Sequence, residues 1–537
     1  MNAAQALVKC LELEGVDHVF GYPGVAICPF YDALYKSDIK EVLVRTEQNA
    51  AHAASGMARL TGKPAVCAVT SGPGATNLLT GIATAFADSI PLICITGQVN
   101  SELIGSDVFQ EADITGAAES FVKYSYLVKD PDDIPKIVKE AFYIAGSGRP
   151  GPVLIDLPSD VQTAELKKFD YPDEVKLRTY KPTVKGNALQ IKKVVKELEK
   201  ASKPLICAGG GLHLCNGTGE LREFAEENSI PVVSTMMGIG VMPTEHSLYY
   251  GMVGNNGSPA ANRAVREADL IIMIGARVAD RAVNQPEVLT DHTVLVHIDV
   301  DPAEIGKNAG ATIPIVGDAK HILKELNEYE IDTDTDEWIK ELDTYRRDLK
   351  VLRPDHPGFV DPAGFIRMLS ELLDEDAVYV ADVGQNQIWS CRNLIVKKGR
   401  FLTTGGMGTM GYSIPAALGA KIAEPERQVL AVCGDGSFQM SEMELATIRQ
   451  EDKDVKIIVL RNNYLGMVRQ YEHFSLKDRY AMVDIGTLPD LSHIAAAYGF
   501  EYTIIKDMTD ARKKAEGFLK TEGPAICECL VDPMDLV

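Results

Sequence analysis

Residues 434–467 read GDGSFQMSEMELATIRQEDKDVKIIVLRNNYLGM, and the pattern of this stretch indicates the type of fold. The apolar run VLAVC precedes its first cluster, GDG, and the run VKIIVL precedes its second, RNN. This order predicts a buried strand, a tight loop, a helix, a second buried strand and a polar loop. Because adjacent parallel strands end on the same side of a sheet, Asp435 and Asn462 would lie side by side at one edge. Their oxygens, close to bare glycine amides, suit a hard divalent cation that bridges to a phosphate.

The same alternation of apolar strands and helix-length stretches occurs in three groups, within residues 1–160, 203–301 and 377–532. Continuous apolar runs are typical of buried parallel strands, and strands that alternate with helices indicate doubly wound domains. The sequence therefore predicts an α/β fold with three parallel-sheet domains, joined by charged, proline-containing linkers at 167–187 and 332–358. The expected strands are HVFGYP, EVLVRT, PAVCAVT, PLICITG and VLIDLP in the first group, KPLICAGG, PVVSTMM, LIIMIGA and TVLVHIDVD in the second, and AVYVADVG, VLAVCGDG, VKIIVLRNN and AICECLVD in the third.

The composition is that of an ordinary globular protein. The 537 residues are 46% hydrophobic and 24% charged, and 54 basic against 76 acidic residues give a net charge of −22. We expect no nucleic-acid binding, because such proteins carry basic patches, and we attribute the acidity to solubility. We expect no membrane span either, because no apolar run reaches the needed length. The ten cysteines form no CxxC pair and lie mostly in apolar strands, which indicates reduced core thiols and a cytoplasmic location.

Glycine clusters follow several of the predicted strands: GYPG, TSGPGATN, AGGG, TTGGMGTMG and GDG. Glycine-rich loops at the carboxyl ends of parallel strands mark ligand sites in doubly wound domains. None of them matches GxxxxGK followed by Ser or Thr, so the phosphate-binding loop of the ATPases is not indicated. AGGGLHLC departs from GxGxxG, so an ordinary dinucleotide fingerprint is not indicated either.

Longer motifs resemble one enzyme family along nearly the whole chain. The spacing from Gly434 to Asn462 is similar to the diphosphate-binding motif of thiamine diphosphate enzymes, in which GDG is followed by NN. The other motifs resemble, in chain order, the large subunits of biosynthetic acetohydroxyacid synthase, also called acetolactate synthase. They are GYPGVAICPFYDAL, RTEQNAAHAASGMARLTGK, TSGPGATNLLTGIATAFADSIPLICITGQV, GSDVFQE, SGRPGPVLIDLP, GARVADR, HIDVDPAEIGKN, GGMGTMGYSIPAALGAK and NNYLGMVRQY.

The resemblance implies that the protein decarboxylates pyruvate on thiamine diphosphate and transfers the hydroxyethyl carbanion to a second 2-keto acid. Pyruvate as the second acid gives 2-acetolactate, and 2-ketobutyrate gives 2-aceto-2-hydroxybutyrate, in the biosynthesis of valine and isoleucine. By the resemblance Glu47 is the activating acid, whose hydrogen bond to a pyrimidine nitrogen makes the cofactor an internal base. The alternative for Glu47 is a capping or surface role at the start of a helix, which the match of RTEQNAAHA outweighs.

The resemblance assigns the Mg²⁺ ligands to the side chains of Asp435 and Asn462 and to the backbone carbonyl of Tyr464. One departure affects this set: in relatives the asparagine pair stands one position earlier, so Arg461 replaces its first member. Alignment on YLGMVRQ keeps Asn462 as the ligand, and Asn463 is the alternative if the loop is remodelled.

The remaining contacts to thiamine diphosphate and substrate follow from the same motifs. Met410 is similar to the bulky residue that bends the cofactor, with core packing as its plainer role, and Gly408 would offer a carbonyl to the aminopyrimidine. Phe109 and Gln110 would flank the reacting carbonyl, although Gln110 outside this motif would be interpreted as a surface amide. The other expected cofactor contacts are Gly24, Gly434, Gly436, Ser437 and Met467.

The resemblance also implies FAD in the middle domain, in a largely structural role because the net reaction transfers no electrons. Relatives carry a Met-His-Gly run where residues 254–257 read GNNG, and a lysine of the entrance channel where Ser159 stands. Arg277 is expected to hold the carboxylate of the second substrate, because a guanidinium fork suits a carboxylate; its alternative is a structural arginine near the flavin phosphate. The expected FAD contacts are Arg149, Gly210, Gly211, Gly275 and Asp299.

The predicted domains are a pyrimidine-binding domain at 1–165, a central FAD-type domain at 186–335 and a diphosphate- and Mg²⁺-binding domain at 360–537. This is a fold of the thiamine diphosphate-dependent decarboxylase and carboligase type.

Because the family places its site between the first domain of one subunit and the third of another, we expect at least a homodimer and, as the full assembly, a tetramer. A small regulatory subunit is a further partner that the family allows. Tyr471 replaces a tryptophan that favours 2-ketobutyrate, so we expect a weaker preference for that acid.

Two other interpretations stay open on the sequence. Another thiamine diphosphate enzyme of the same fold, such as a pyruvate oxidase or a 2-keto acid decarboxylase, would share many motifs, although GMVRQ after the metal loop favours acetohydroxyacid synthase. A glyoxylate carboligase would lack the glutamate at position 47. A catalytically inactive scaffold would have lost this glutamate or the metal ligands, and all of them are present.

Overall fold

The computed structural model describes residues 1–283, 285–347 and 357–537, and its elements form three doubly wound units. The strands of the first sheet are β1 (His18–Tyr22), β2 (Lys40–Leu43), β3 (Ala65–Val69), β4 (Leu92–Gln98), β5 (Tyr124–Leu127) and β6 (Val153–Pro158). They pair in the order β2-β1-β3-β4-β6-β5, and every pair is parallel. The helices around this sheet are α1 (Ala3–Leu13), α2 (Cys28–Leu34), α3 (Glu47–Thr61), α4 (Pro73–Ala87), α5 (Ile114–Ala118), α6 (Ile134–Gly146) and α7 (Ser159–Thr163).

The middle sheet is also parallel throughout. Its strands are β7 (Pro204–Ala208), β8 (Val232–Ser234), β9 (Tyr249–Met252), β10 (Leu270–Ile274), β11 (Val294–Asp299) and β12 (Ile313–Val316). They pair in the order β12-β11-β10-β7-β8-β9. Its helices are α8 (Ala188–Leu198), α9 (Gly211–Leu214), α10 (Thr218–Glu227), α11 (Pro259–Glu267), α12 (Ala319–Leu326) and α13 (Asp336–Arg347).

The third sheet repeats the strand order of the first. Its strands are β13 (Val378–Ala381), β14 (Arg400–Leu402), β15 (Val429–Gly434), β16 (Val455–Arg461), β17 (Glu501–Ile505) and β18 (Ala525–Leu530). They pair in parallel in the order β14-β13-β15-β16-β18-β17. Its helices are α14 (Pro362–Leu372), α15 (Gln385–Asn393), α16 (Ser413–Ala423), α17 (Asp435–Ser441), α18 (Leu445–Gln450), α19 (Gly466–Leu476), α20 (Leu491–Tyr498) and α21 (Ala511–Lys520). The predicted α/β class with three parallel sheets is therefore confirmed.

Every strand that the sequence predicted is present, and the strands that escaped prediction all lie at sheet edges. They are β5, β9, β12, β14 and β17. β14 has three residues, while β5 and β17 are mostly half-exposed rather than buried. An edge strand has one neighbour only, so it can be short and partly polar and need not carry a continuous apolar run.

The second predicted linker, 332–358, was wrong for residues 336–347, which form α13. Trp338 is buried there, and its indole N–H donates a hydrogen bond of 3.1 Å to the carbonyl of Pro204. This contact fixes the helix on the middle sheet. Residues 348–356 of that linker lie outside the described residues, whereas the first linker, 167–187, contains neither helix nor strand. The exact domain limits stay a prediction.

The first and third domains pack together through α3 and α16. Gly56 faces the carbonyl of Ala416, and Gly419 faces the carbonyl of Ala53, so the two helices run antiparallel with their backbones in contact. A side chain on either glycine would overlap the facing carbonyl. One apolar core spans both sheets as a result. This packing places the first turn of α3 at the C-terminal end of α16, far from the loop that precedes α16.

All ten cysteines are free thiols, and most of them are buried, as the sequence predicted. Within the described ranges, no helix combines the length and the apolar character that crossing a bilayer requires. The largest fully buried side chains are aromatic, for example Trp338, Tyr379 and Tyr412, and these three lie in different apolar clusters.

Candidate active site

Glu47 is the first residue of α3 and lies at the carboxyl edge of the first sheet, after β2. Its Oε2 atom accepts a hydrogen bond of 3.0 Å from the side-chain amide of Asn77 on α4. Gly74 leaves room for the carboxyl group, because a Cβ at that position would lie 3.3 Å from Oε1. Glu47 is half-buried, so its carboxyl group is oriented by α4 and still open to a ligand.

The loop of residues 70–74, between β3 and α4, brings other predicted residues to the same edge. Gln110 has a φ of +60° and lies against this loop, because a Cβ on Gly72 would be 2.9 Å from its Cα. Gly24 packs against the side chain of Thr70. Phe109 is 86% exposed, so a ligand or another chain must cover it if it acts on a substrate.

A buried network below this edge holds the segment that carries Gln110. Asp156 on β6 accepts hydrogen bonds of 2.7 Å from the Thr96 hydroxyl and 3.0 Å from the Gln98 side-chain amide. The same amide of Gln98 donates to the carbonyl of Ala112 at 2.8 Å. Burial raises the pKa of Asp156 to about 7, although both donors oppose this rise. Up to about pH 7, the native state therefore retains a proton on Asp156, which the unfolded chain loses near pH 4.

We expect Asp156→Asn to flatten the pH dependence of stability. A carboxyl whose pKa is raised on folding stabilises the native state fully below its unfolded value, and this contribution is lost as the pH rises towards the folded value. The measurement is the Tm of wild type and variant at about pH 5 and about pH 8. The wild type should lose stability relative to the variant at the higher pH. An equal difference at both values would contradict the retained proton, and the exposed Asp38→Asn is the control.

The structure brings Asp435 and Asn462 together where β15 and β16 end. The register of these strands pairs Gly434 with Leu460, so both loops leave the sheet at one edge. Asp435 and Asn462 are 6% and 7% exposed. The Oδ2 atom of Asp435 accepts a hydrogen bond of 2.6 Å from the backbone N–H of Asn463, which ties the two loops together.

The neighbours of Asn462 decide between the two candidate asparagines. Asn463 has a φ of +64°, and its Oδ1 atom accepts a hydrogen bond of 2.8 Å from Arg461. Arg461 is held in turn by Glu528 at 2.8 Å. The Oδ1 atom of Asn462 also accepts a hydrogen bond, of 3.0 Å, but from the neutral backbone N–H of Tyr464. Because a guanidinium cation holds the Oδ1 atom of Asn463 and not that of Asn462, this arrangement favours Asn462 as a metal ligand.

Two residues line the space above Gly436. The Cε atom of Met410 would lie 3.5 Å, and the Cδ2 atom of Leu465 2.9 Å, from a Cβ at this position. Gly408 has a φ of +66°, which favours glycine in the loop that presents Met410. The end of this loop is fixed by the buried Asp382, which accepts the backbone N–H groups of Gly411 at 3.0 Å and Ser413 at 2.8 Å.

The electrostatics of this edge suit a divalent cation. Burial raises the pKa of Asp435 to about 6, although the backbone N–H groups of Asn463 and Gly436 and the charge of Arg461 oppose this rise. A cation would offset the cost of a buried carboxylate, and a carboxylate, an amide oxygen and a backbone carbonyl are ligands that Mg²⁺ accepts. The residues at this edge therefore fit Mg²⁺ with a diphosphate.

Three family models match the chain in sequence order. The N-terminal TPP binding domain of thiamine pyrophosphate enzymes matches residues 1–117, their central domain matches 191–326, and their C-terminal TPP binding domain matches 382–529. The matches cover each of the three sheets at least in part. Both edges described above lie within or beside the two TPP binding domains.

Curated relatives match along nearly the whole length. A probable acetolactate synthase large subunit from Methanocaldococcus jannaschii is 44% identical over 100% of this chain and 93% of its own. An acetolactate synthase from Arthrospira platensis is 42% identical over 99% of this chain and 94% of its own. An acetolactate synthase large subunit from Haemophilus influenzae is 43% identical over 93% and 89%. The chain belongs to the acetolactate synthase large-subunit family.

In this acetolactate synthase family member, the glycine loops of the middle domain pack on one another. The backbone N–H of Gly211 donates to the carbonyl of Gly275 at 3.0 Å, and a Cβ on Gly210 would lie 2.9 Å from the Cβ of Met237. Asp299 ends β11, and burial raises its pKa to about 6. The ends of β7, β10 and β11 thus meet at one edge, where doubly wound domains bind ligands.

The guanidinium group of Arg149 is already bound by other side chains of the protein. Its Nη1 atom donates to Asp301 at 3.1 Å and to Glu304 at 2.8 Å, and its Nε atom donates to the hydroxyl of Ser89 at 2.8 Å. These ion pairs join the first domain to the middle domain. Asp299 and the glycine loops fit a dinucleotide such as FAD, whereas Arg149 would have to exchange its acidic partners to meet a flavin phosphate.

The remaining predicted residues of this synthase lie at strand ends or on α19. Arg277 follows β10 and is half-buried. Met467 lies in the first turn of α19, and Tyr471 on the same helix is 62% exposed. Ser437 donates from its hydroxyl to the carbonyl of Val383 at 3.2 Å. Ser159 begins α7, and its hydroxyl donates to the carbonyl of Gln98 at 3.0 Å.

Two side chains that support the metal edge were not identified from the sequence. Gln385 accepts a hydrogen bond of 3.1 Å from the side chain of Asn462 and donates one of 2.8 Å to the carbonyl of Asp535. Asp382 holds the Met410 loop as described. Both follow β13 within AVYVADVGQ, so the rule that ligand sites lie after parallel strands could have identified them.

Proposed function

We propose that the chain is the catalytic subunit that decarboxylates pyruvate and joins the two-carbon unit to a second 2-keto acid, giving 2-acetolactate or 2-aceto-2-hydroxybutyrate. One observation carries this proposal. The chain is similar to acetolactate synthases along nearly its whole length, and the residues expected for catalysis and metal binding are present at the carboxyl edges of its first and third sheets. Glu47 stands at the edge of the first sheet, and Asp435 with Asn462 stands at the edge of the third.

In the proposed mechanism Glu47 holds a proton for the pyrimidine ring of thiamine diphosphate. When bound, thiamine diphosphate supplies a carbon nucleophile and accepts the electron pair that decarboxylation releases. Asn77 keeps the Glu47 carboxyl group in place by donating to one of its oxygens, which leaves the other oxygen for the proton. A positioned carboxyl of this kind contributes as a general acid or base.

The third domain would hold the diphosphate end of the cofactor. Asp435, Asn462 and the carbonyl of Tyr464 would bind Mg²⁺, which neutralises the diphosphate. Met410 and Leu465 would line the thiazolium side, with Gly408 beside the pyrimidine. The remaining contacts proposed for cofactor or substrate are Gly24, Gly434, Gly436, Ser437, Met467, Phe109, Gln110 and Arg277.

The structure favours a site shared by two chains. α4 carries Gly74, next to Glu47, in its first turn, and Asp88 just after its last turn contacts the loop of residues 405–409. A helix rises about 1.5 Å per residue, so Glu47 lies about 20 Å from the cofactor loop of its own chain. This distance exceeds any direct contact, so Glu47 would complete the site of a second copy. We therefore propose at least a homodimer, with a tetramer as the expected assembly.

We also propose FAD in the middle domain and a small regulatory subunit as a partner. The support for FAD is the meeting of Gly210, Gly211, Gly275 and Asp299 at one edge, as described above. The support for a regulatory partner is that several relatives are named large subunits. The absorbance spectrum of the purified protein tests for the flavin directly.

The decisive experiment supplies the purified chain with thiamine diphosphate, Mg²⁺, FAD and pyruvate. Acetolactate, acetaldehyde, acetyl phosphate and hydrogen peroxide are then measured in one sample. Acetolactate should be the main product. Acetaldehyde as the main product would indicate a decarboxylase, and acetyl phosphate with peroxide would indicate an oxidase; either result would contradict the proposal.

Tyr471→Trp should shift the product ratio towards acetohydroxybutyrate by a few-fold to about tenfold when pyruvate and 2-ketobutyrate compete. The two acids differ by one methylene, whose burial contributes about 0.8 kcal/mol, and pockets separate such pairs by about 1–3 kcal/mol. Tyrosine offers a smaller apolar face than tryptophan and a hydroxyl that needs a hydrogen-bond partner. The measurement is the ratio of both products at equal concentrations of the two acids. An unchanged ratio in an active variant would show that position 471 does not contact the second substrate.

A further inference from the structure

A buried carboxylate joins the first domain to the cofactor loop of the third. The Oδ1 atom of Asp88 accepts the backbone N–H groups of Gly406 at 2.8 Å and Gly405 at 3.2 Å. Its Oδ2 atom accepts a hydrogen bond of 2.9 Å from Arg59 on α3. The side chains of Asp88 and Arg59 are 0% and 7% exposed. Hydrogen bonds to a charged group in a water-excluded place are strong and costly to break.

Two further contacts hold the same loop against the end of α4. The hydroxyl groups of Thr84 and Thr409 lie 2.7 Å apart. The loop backbone approaches α4 so closely that a Cβ on Gly406 would lie 2.6 Å from the Cβ of Ala87. Residues 405–409 therefore lie directly on the last turn of α4, and their position depends on the first domain of the same chain.

This loop carries Gly408 and leads to Met410, which are proposed to contact thiamine diphosphate. A displacement of about 1 Å at such a position can lower a rate about a hundredfold. An uncharged side chain at position 88 would leave Arg59 without its buried counter-ion, and the two loop N–H groups would donate to a weaker, neutral acceptor. The loop would then lose the charged contact that helps to hold it against the end of α4.

We propose that Asp88 is a positioning residue for the cofactor loop of its own chain, while Glu47 of the same domain serves the site of a second copy. Each first domain would then act on two active sites, one in cis through Asp88 and one in trans through Glu47. The inference rests on the two-chain site of the proposed function. It adds a residue, Asp88, that touches neither substrate nor cofactor.

The first test compares Asp88→Asn with wild type, with exposed Asp38→Asn as the matched control. We expect Asp88→Asn to raise the thiamine diphosphate concentration for half-maximal activity by about tenfold or more, since small displacements of binding groups have large effects. Thermal unfolding and gel filtration establish that the variant is folded and assembled. A purely structural role would lower the Tm and leave the cofactor dependence unchanged, and that result would overturn the proposal. If Asp88→Asn does not fold, Thr84→Val replaces it, because valine keeps the shape and removes the hydroxyl that contacts Thr409 and donates to the Thr80 carbonyl within α4.

The second test distinguishes cis from trans action. Chains with Glu47→Gln and chains with Asp88→Asn are co-expressed with different tags, and the mixed dimer is purified through both tags. If Asp88 acts in cis, one site of the mixed dimer has both defects and the other has none. At a thiamine diphosphate concentration that saturates wild type but leaves the Asp88→Asn homodimer mostly inactive, the mixed dimer should then recover about half of the wild-type activity, because an isologous dimer carries two equivalent sites.

Two other results have distinct meanings. If Asp88 acted on the same site as Glu47 of its chain, every site of the mixed dimer would carry one defect, activity would stay at the level of the parents, and the proposal would fail. A Glu47→Gln homodimer with undiminished turnover would instead overturn the role of Glu47 in the proposed function. The activity of the Glu47→Gln homodimer therefore distinguishes a failure of the proposed function from a failure of the cis role of Asp88.

Discussion

We expect Glu47→Gln to slow acetolactate formation by at least about tenfold to a hundredfold, the low end of what a proton-transfer group contributes. Glutamine has the same shape, and its carbonyl oxygen can still accept the hydrogen bond from Asn77. Its NH2 group can donate a hydrogen bond to a ring nitrogen of the cofactor, but it cannot transfer a proton to that nitrogen. Binding of thiamine diphosphate and Mg²⁺ should therefore persist while turnover falls.

The measurement is acetolactate formation at saturating cofactor, together with a cofactor titration on the same preparation. Glu199→Gln is a suitable control, because this substitution removes an equal charge. Glu199 caps the C-terminus of α8 on the exposed surface of the middle domain. Undiminished turnover with bound cofactor would show that Glu47 is not the activating acid. In that case the capping role at the start of α3 would be the better interpretation.

Asp435→Ala should weaken the binding of thiamine diphosphate by at least about tenfold, the lower limit reported even for residues that only support a metal ligand. The change removes the single anionic side-chain oxygen donor proposed for Mg²⁺. It also removes the acceptor of the Asn463 N–H, so the two strand-end loops lose a direct link. Excess Mg²⁺ should restore part of the affinity by mass action.

The titration follows activity or intrinsic fluorescence against thiamine diphosphate at low and at high Mg²⁺. Asp376→Ala is the matched control, because Asp376 is exposed just before β13, at the opposite end of the same sheet. Unchanged cofactor affinity in Asp435→Ala would mean that the GDG loop serves another ligand. Weakened affinity without any response to Mg²⁺ would contradict a metal role for this carboxylate.

The interior of the fold could be predicted from the sequence, whereas five of the six edge strands in the three sheets could not. Runs such as VKIIVL in β16 are buried on both faces, so they are continuously apolar and recognisable in isolation. YSYL in β5 has one strand neighbour and half-exposed side chains, so it lacks that pattern. α13 escaped because DTDTDEWIKELD is dominated by charge, and only its contact through Trp338 shows that it packs on the middle domain.

Within the candidate site, the sequence located each half through local segments. Glu47 follows β2 within RTEQNAAHA, and Asp435 and Asn462 follow consecutive strands, so a strand, its loop and the next helix are enough to place them. Gln385 and Asp382 were missed although they also follow a strand. The acidic partners of Arg149 could not be foreseen, because Asp301 and Glu304 lie more than 150 positions away in the chain.

The three doubly wound domains and the order of the loops that carry the chemistry follow from the amino-acid sequence alone. They do so because buried parallel strands and the glycine-rich turns after them are written in short, contiguous patterns. The three-dimensional packing was needed to see that Glu47 lies at one end of α4 and that Asp88, at the other end, contacts the cofactor loop of the same chain. Such relations depend on how α3 packs across α16 and on which helix end meets which loop. They arise from contacts between distant segments, and no local pattern in the chain encodes them.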